Sequence, residues 1–187
     1  GLGDVYKRQA LGTGGADRVH TGSGMGAFLV DIKVLTDSGG TNSQASLNGI
    51  QWMINNKDTD WGNNQSSRGI DIASMSFGSL SSPLNPDDEG DNGSGAEARL
   101  VNDARDAGIV CVVAMGNDGT KRVPSPASAD GAISIGAVND RNTVNRTDDV
   151  MASYSNWGPR LVDGDDDEWD ELKPDVTAYG SGITSAT

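Results

Sequence analysis

The spacing of apolar positions changes period several times along this chain. Ala27 to Leu35 is a short apolar run interrupted by Asp31 and Lys33, the pattern of a strand. Over Ser43 to Asn55 the spacing becomes helical: Ala45, Ile50, Met53 and Ile54 form an approximate stripe, with Ser43 placed to cap the first turn. Ile70 to Phe77 reads as the next strand. After an acidic, glycine-rich loop, Ala96 to Ala107 reads as a helix stopped by Gly108. Ile109 to Met115 then supplies a third strand and Ala132 to Val138 a fourth, followed by the polar loop Asn139 to Asp149. A last extended piece runs from Asp175 to Ala178, and neither an internal repeat nor an interdomain linker interrupts the series.

Strands alternating with helices at this spacing predict an α/β fold with a mostly parallel sheet and right-handed crossovers. In such sheets ligands collect beyond the carboxyl ends of the strands. The segment Ile109-Val110-Cys111-Val112-Val113-Ala114-Met115-Gly116-Asn117-Asp118-Gly119 fits that geometry, because a buried strand there runs into an amide framed by glycines. A side-chain amide so placed donates a hydrogen bond without carrying charge, which suits it to an oxyanion. Taken alone, Asn117-Asp118-Gly119 equally suits an ordinary turn.

Bulk properties narrow the function classes. A chain of 187 residues supports one domain with a sizeable core. Its 27 acidic and 14 basic residues give a formal net charge of -13, which repels phosphate backbones and acidic membrane surfaces. Nucleic acid is therefore excluded as an expected partner. The single cysteine, Cys111, sits between valines and reads as a buried small hydrophobe, not a reactive thiol. No apolar run approaches the roughly 18 to 20 residues needed to cross a bilayer.

Several motifs fail on context. Gly22-Ser23-Gly24-Met25-Gly26-Ala27 fits a loose dinucleotide-binding pattern, but its glycines precede a strand instead of following one, which disfavours a nucleotide-binding domain. Asp163-Gly164-Asp165-Asp166-Asp167-Glu168 starts like a calcium loop but has Glu168 where an EF-hand needs Gly and Pro174 where it needs Glu. The acidic runs Asp87 to Asp91 and Asp163 to Glu171 read as solvated faces, with a looser calcium site still open in either. His20, the only histidine, reads as an exposed loop residue. The sequons at Asn64, Asn92 and Asn145 matter only in a glycosylating source.

Four segments flank the Asn117 strand in fixed order: Met75-Ser76-Phe77-Gly78, Ser125-Pro126-Ala127, Ala152-Ser153-Tyr154-Ser155-Asn156-Trp157-Gly158 and Lys173-Pro174-Asp175-Val176-Thr177-Ala178. Together with Leu29-Val30-Asp31-Ile32-Lys33-Val34-Leu35 they closely resemble the subtilisin-like serine peptidases, from near Leu11 to Thr187. Each motif is weak alone, whereas their order and spacing are specific. Tyr179 departs from the pattern, since a proline usually follows the Lys-Pro-Asp-Val-Thr-Ala run.

The resemblance implies a three-layer fold with helices on both faces of the sheet. It further implies peptide-bond hydrolysis of polypeptide substrates by a Ser-His-Asp route, with Asn117 as oxyanion donor. Ser76, Phe77 and Gly78 on one side, and Ala114, Met115 and Gly116 on the other, match segments that bind the substrate chain. It requires no cofactor for catalysis, allows structural calcium without naming a ligand, and implies a monomer acting outside the cell or at its envelope.

The family's serine motif, Gly-Thr-Ser-Met-Ala, is expected just beyond Ile183 to Thr187, and its His-Gly-Thr-His just before Leu11-Gly12-Thr13-Gly14. Residues 1–9 do not match and look foreign, so 10–187 read as the middle of a peptidase domain, truncated at both ends, with none of the triad. The competing reading is a non-catalytic relative, an interaction module that retained the fold.

Overall fold

The computed structural model describes residues 11, 21–40, 43–62, 68–79, 90–165, 169 and 171–183. Residues 1–9, His20, the sequon at Asn64 and residues 87–89 of the first acidic run lie outside the described residues. So does the side chain of Ser43, proposed above as a cap.

Helix α1 spans Ser43–Asn55, the bounds that the apolar stripe predicts. Strand β1 is Ile72–Met75, α2 is Ala96–Asp106 and β2 is Val110–Ala114. Helix α2 stops where expected: Gly108 adopts φ +93°, its amide reaches the Arg105 carbonyl at 2.8 Å, and the Ile109 amide reaches Ala104 at 2.9 Å. Strand β3 (Ala132–Asn139) leads through a 3-10 turn over Arg146–Asp148 to the short β4 (Val150–Met151), and β5 is Val176–Tyr179.

The sheet runs β1-β2-β3, parallel throughout, with β5 parallel to β3 on its far side. Only β4 is antiparallel. The Ile135 carbonyl accepts from Met115 at 3.1 Å and the Ala137 carbonyl from Ala152 at 2.9 Å. Residues two apart on a strand bond toward the same edge, so β4 takes over the edge of β3 just where β2 ends. The carboxyl end of β2 is thereby left beside a gap in the ladder.

Pairing in register places Ala73, Cys111 and Ala132 on one face, and Ile72 and Val110 on the other. Ile50 and Met53 of α1 and Ala98, Val101 and Ala104 of α2 close over the first face with Ala73, Met75, Cys111, Val113 and Met115, forming one buried cluster. The expected helical layer on the opposite face is not formed by any described residue, and Ile72, Val110, Ile133 and Val176 are exposed there.

The expected strand over Ala27 to Leu35 is not observed: that segment lies outside the sheet, with Phe28, Leu29 and Val30 exposed. Ile32 packs on the edge of the core, and Val34 lies so close to α1 that a Cβ on Gly49 would come within 2.5 Å of it. Side-chain packing on a helix thus replaces ladder pairing there. Among the described residues no helix is long and apolar enough to cross a membrane.

Candidate functional site

At the carboxyl end of β2 the chain reverses direction through glycines. Met115 is buried, Gly116 turns at φ +94°, Asn117 emerges into solvent and Gly119 turns again at φ +65°. Side chains cannot replace these glycines without movement: a Cβ at Gly116 would lie 2.7 Å from Asn156 Nδ2, and one at Gly119 would lie 2.4 Å from the Ser153 carbonyl oxygen.

Asn156 holds this turn from below. Fully buried, it accepts the Asp118 amide at Oδ1 (2.9 Å) and donates from Nδ2 to the Asp118 carboxylate (3.2 Å). Its own amide bonds the Gly116 carbonyl at 3.2 Å, and the Gly119 amide bonds the Tyr154 carbonyl at 2.9 Å. Residues 152–158 therefore run alongside 116–122 as a brace. The side chain of Asn117 makes no hydrogen bond to any described residue, so its amide is presented to solvent by a fixed backbone.

A groove of about 280 Å³ opens at this point, lined by the carboxyl ends of β1, β2, β3 and β5. Ser76, Ala114, Met115 and Gly116 line it together with Asn117. The Met115 and Phe77 side chains instead belong to the core, so Met115 borders the groove mainly through its backbone. Gly78 stands to one side, where a Cβ would lie 3.2 Å from the Ser125 carbonyl oxygen. Ser79 and Ser125 exchange backbone hydrogen bonds at 2.8 and 3.2 Å, and the Ser125–Pro126 peptide is cis.

The last wall, Ala178 to Gly180, is fixed by the Lys173-Pro174-Asp175 segment preceding β5. Asp175 Oδ2 accepts from the Ser134 amide and hydroxyl, both at 2.7 Å, and from Lys173 Nζ at 3.0 Å. Lys173 is itself buried and also donates to the Ala132 carbonyl at 3.2 Å. Partial burial opposes the Asp175 charge, but hydrogen bonds from Ser134 and Lys173 outweigh it and hold the carboxyl below its usual range. At the far end Tyr154 donates its hydroxyl to the Gly180 carbonyl at 2.7 Å.

Sequence reasoning singled out Asn117 but neither Asn156 nor Glu97. Glu97 is buried in α2 and accepts hydrogen bonds from the hydroxyls of Ser46 and Ser79, the latter at 2.8 Å. It ties α1 to the segment following β1. A charged residue on the apolar side of a helix was the available signal. Cys111 is buried beneath the sheet as its neighbours suggest, and burial pushes its thiol up to about 11.

Comparison with known proteins points one way. The family model described as "Subtilase family" matches residues 9–187. The serine protease AprX of Bacillus subtilis (strain 168) is 32% identical over 185 residues, covering 98% of this chain and 37% of that protein. Subtilisin DY of Bacillus licheniformis is 31% identical over 157 residues, covering 82% of this chain and 43% of that protein. Among solved structures sphericase is similar, with a TM-score of 0.59 and 28% identity, over 79% of this chain and 42% of that one. The chain thus spans less than half the length of each of these relatives.

Proposed function

The chain belongs to the subtilase family, and from that premise we propose that the protein works as a serine endopeptidase in which Asn117 donates its side-chain amide to the oxyanion of the tetrahedral intermediate. The observation that carries the assignment is the exposed Asn117 amide, unengaged by the described residues and held at the mouth of the groove by a turn that Asn156 pins. A donor fixed in advance needs no reorganisation when charge develops, which is what makes it catalytic and not merely a binding contact.

The substrate is an extended polypeptide. Its backbone runs between Ser76-Phe77-Gly78 on one side and Ala114-Met115-Gly116 on the other. Recognition through backbone pairing at strand ends accepts many sequences, because the peptide group is common to all of them. A serine attacks the scissile carbonyl, a histidine takes its proton and delivers it to the leaving amine, and an aspartate orients the histidine. None of these three is assigned to a residue of this chain, so the 187 residues by themselves are expected to show no peptidase activity. The proposed protein acts as a monomer, outside the cell or at its envelope.

Asn117→Ala in the whole enzyme tests the reading by steady-state kinetics. Its kcat is expected to fall about 10²- to 10³-fold with little change in KM, a magnitude carried over from an oxyanion asparagine of a subtilisin. An unchanged kcat removes Asn117 from the mechanism.

A further inference from the structure

A second cavity, of about 260 Å³, is lined by Leu47, Ser79, Asp91, Gly95, Glu97 and Ser125. It adjoins the substrate path: Ser79 directly follows Ser76-Phe77-Gly78 in the chain and is fastened to Ser125 by their paired backbone hydrogen bonds. The Ser79 hydroxyl in turn donates to Glu97 at 2.8 Å, so the edge proposed to hold the peptide backbone is tied to the cavity wall. The volume suits a single side chain, being below the range of pockets that enclose a whole small-molecule ligand.

Oxygen acceptors face this cavity, and no lining residue carries a positive charge. Asp91 is half-buried; its Oδ1 accepts the Gly93 amide at 2.8 Å and the Ser128 hydroxyl at 2.7 Å, whereas its Oδ2 accepts from no described residue. Ser125 is only 6% exposed, and its Oγ is buried with no hydrogen-bond partner among the described residues. A Cβ on Gly95 would come within 2.8 Å of Asp91 Oδ2 and 3.1 Å of Ser125 Oγ. Both oxygens therefore flank one spot that stays open because residue 95 has no side chain.

Glu97 adds a second carboxylate and is only 4% exposed. The hydroxyls of Ser46 and Ser79 donate to it but bring no charge. Neither Glu97 nor Asp91 forms an ion pair with a described residue. Carboxylates withdrawn from water without a counter-charge are strongly disfavoured, and a buried hydroxyl without a partner adds to the cost.

We infer that Asp91, Glu97 and Ser125 recognise a cationic side chain of the substrate, lysine or arginine. The inference rests on the peptidase reading above and narrows its substrates to polypeptides with a basic residue near the scissile bond. An ammonium has three donors and no acceptor, which matches the free Asp91 Oδ2, the Ser125 Oγ and the Glu97 carboxylate. A guanidinium offers more donors in a planar fork. A neutral side chain leaves both carboxylates without a counter-charge and an acidic one adds a third, so the pocket discriminates by charge. The net charge of -13 favours the approach of the same substrates.

Fluorogenic peptides of one neutral sequence, with lysine placed at each position in turn and glutamine and glutamate as counterparts, test this in the full-length enzyme. At one position kcat/KM for the lysine peptide is expected to exceed that of its glutamine counterpart at least about tenfold, with glutamate lowest. Glu97→Gln retains the shape of the side chain but not its charge, and is expected to cut that ratio severalfold at that position alone. A defect in folding would instead lower all the peptides together. Should Glu97→Gln fail to fold, Asp91→Asn is read in the same way. A lysine preference unchanged in the folded variant overturns the inference. Equal cleavage of lysine, glutamine and glutamate peptides at every position by the wild type overturns it too, and leaves the peptidase reading standing. A wild type that cleaves none of the peptides overturns both.

Discussion

The buried amide of Asn156 and the backbone of Asp118 form a two-sided clamp: Oδ1 accepts the Asp118 amide at 2.9 Å while Nδ2 reaches the Asp118 carboxylate at 3.2 Å. Asn117 sits directly before the clamped residue, so Asn156 acts as a positioning residue for it. Asn156→Ala would leave the Asp118 amide without its side-chain partner, and loss of that hydrogen bond costs about 0.5–1.5 kcal/mol. We expect the melting temperature to fall and hydrogen exchange at the Asp118 amide to accelerate. Asn156→Asp should be worse than Asn156→Ala, since it sets a second carboxylate against Asp118. The reverse order in thermal unfolding would show that the Nδ2 contact contributes nothing.

Gly116 meets the same clamp from above. With φ at +94° and a Cβ that would lie 2.7 Å from Asn156 Nδ2, Gly116→Ala combines backbone strain with a steric clash. The expected loss is about 1–3 kcal/mol for the backbone conformation alone. Gly26→Ala is the control, because a Cβ there meets nothing within 4 Å. Chemical denaturation of the two variants should separate them clearly, and equal midpoints would refute the strain argument.

What the sequence made legible was local. The bounds of α1 follow from its stripe, and the stop of α2 follows from Gly108, because both are decided by residues within a turn or two of each other. Asn117 was legible as a candidate because strand, glycine and amide are adjacent in the chain. The partners that hold the site were not, since they come from far away: 38 residues separate Asn156 from Asp118, 51 separate Glu97 from Ser46, and 41 separate Asp175 from Ser134. The two-residue β4 is too short to show a period. Ala27 to Leu35 has the composition of a strand, but a strand also needs a neighbouring edge, which no run of residues specifies by itself.

Cys111 offers a test of the core independent of activity. Burial raises its thiol to about 11, so the thiolate is a minor species at neutral and mildly alkaline pH. The native protein should resist a maleimide or iodoacetamide at pH 8, and denaturant should restore ordinary labelling. Rapid stoichiometric labelling of native protein would mean that the face beneath β2 opens readily.

The Asp175 network predicts a pH dependence whose sign is fixed by the hydrogen bonds. Ser134 and Lys173 hold the Asp175 carboxyl below its usual range despite partial burial, so its folded value lies below the unfolded value of about 3.9. The folded state therefore binds the proton less readily than the unfolded chain. The contribution to stability is fully present above the unfolded value and is lost as pH falls through the folded one. Because the carboxylate adds to the backbone ladder at the start of β5, its protonation should loosen the attachment of the strand that leads to the wall formed by Ala178 to Gly180. Asp175→Asn should destabilise the protein near neutral pH, and the gap from wild type should narrow as pH drops below about 4. A gap that stays constant from neutral pH into the acid range would show that the Asp175 charge contributes nothing beyond the backbone ladder that pairs β5 with β3.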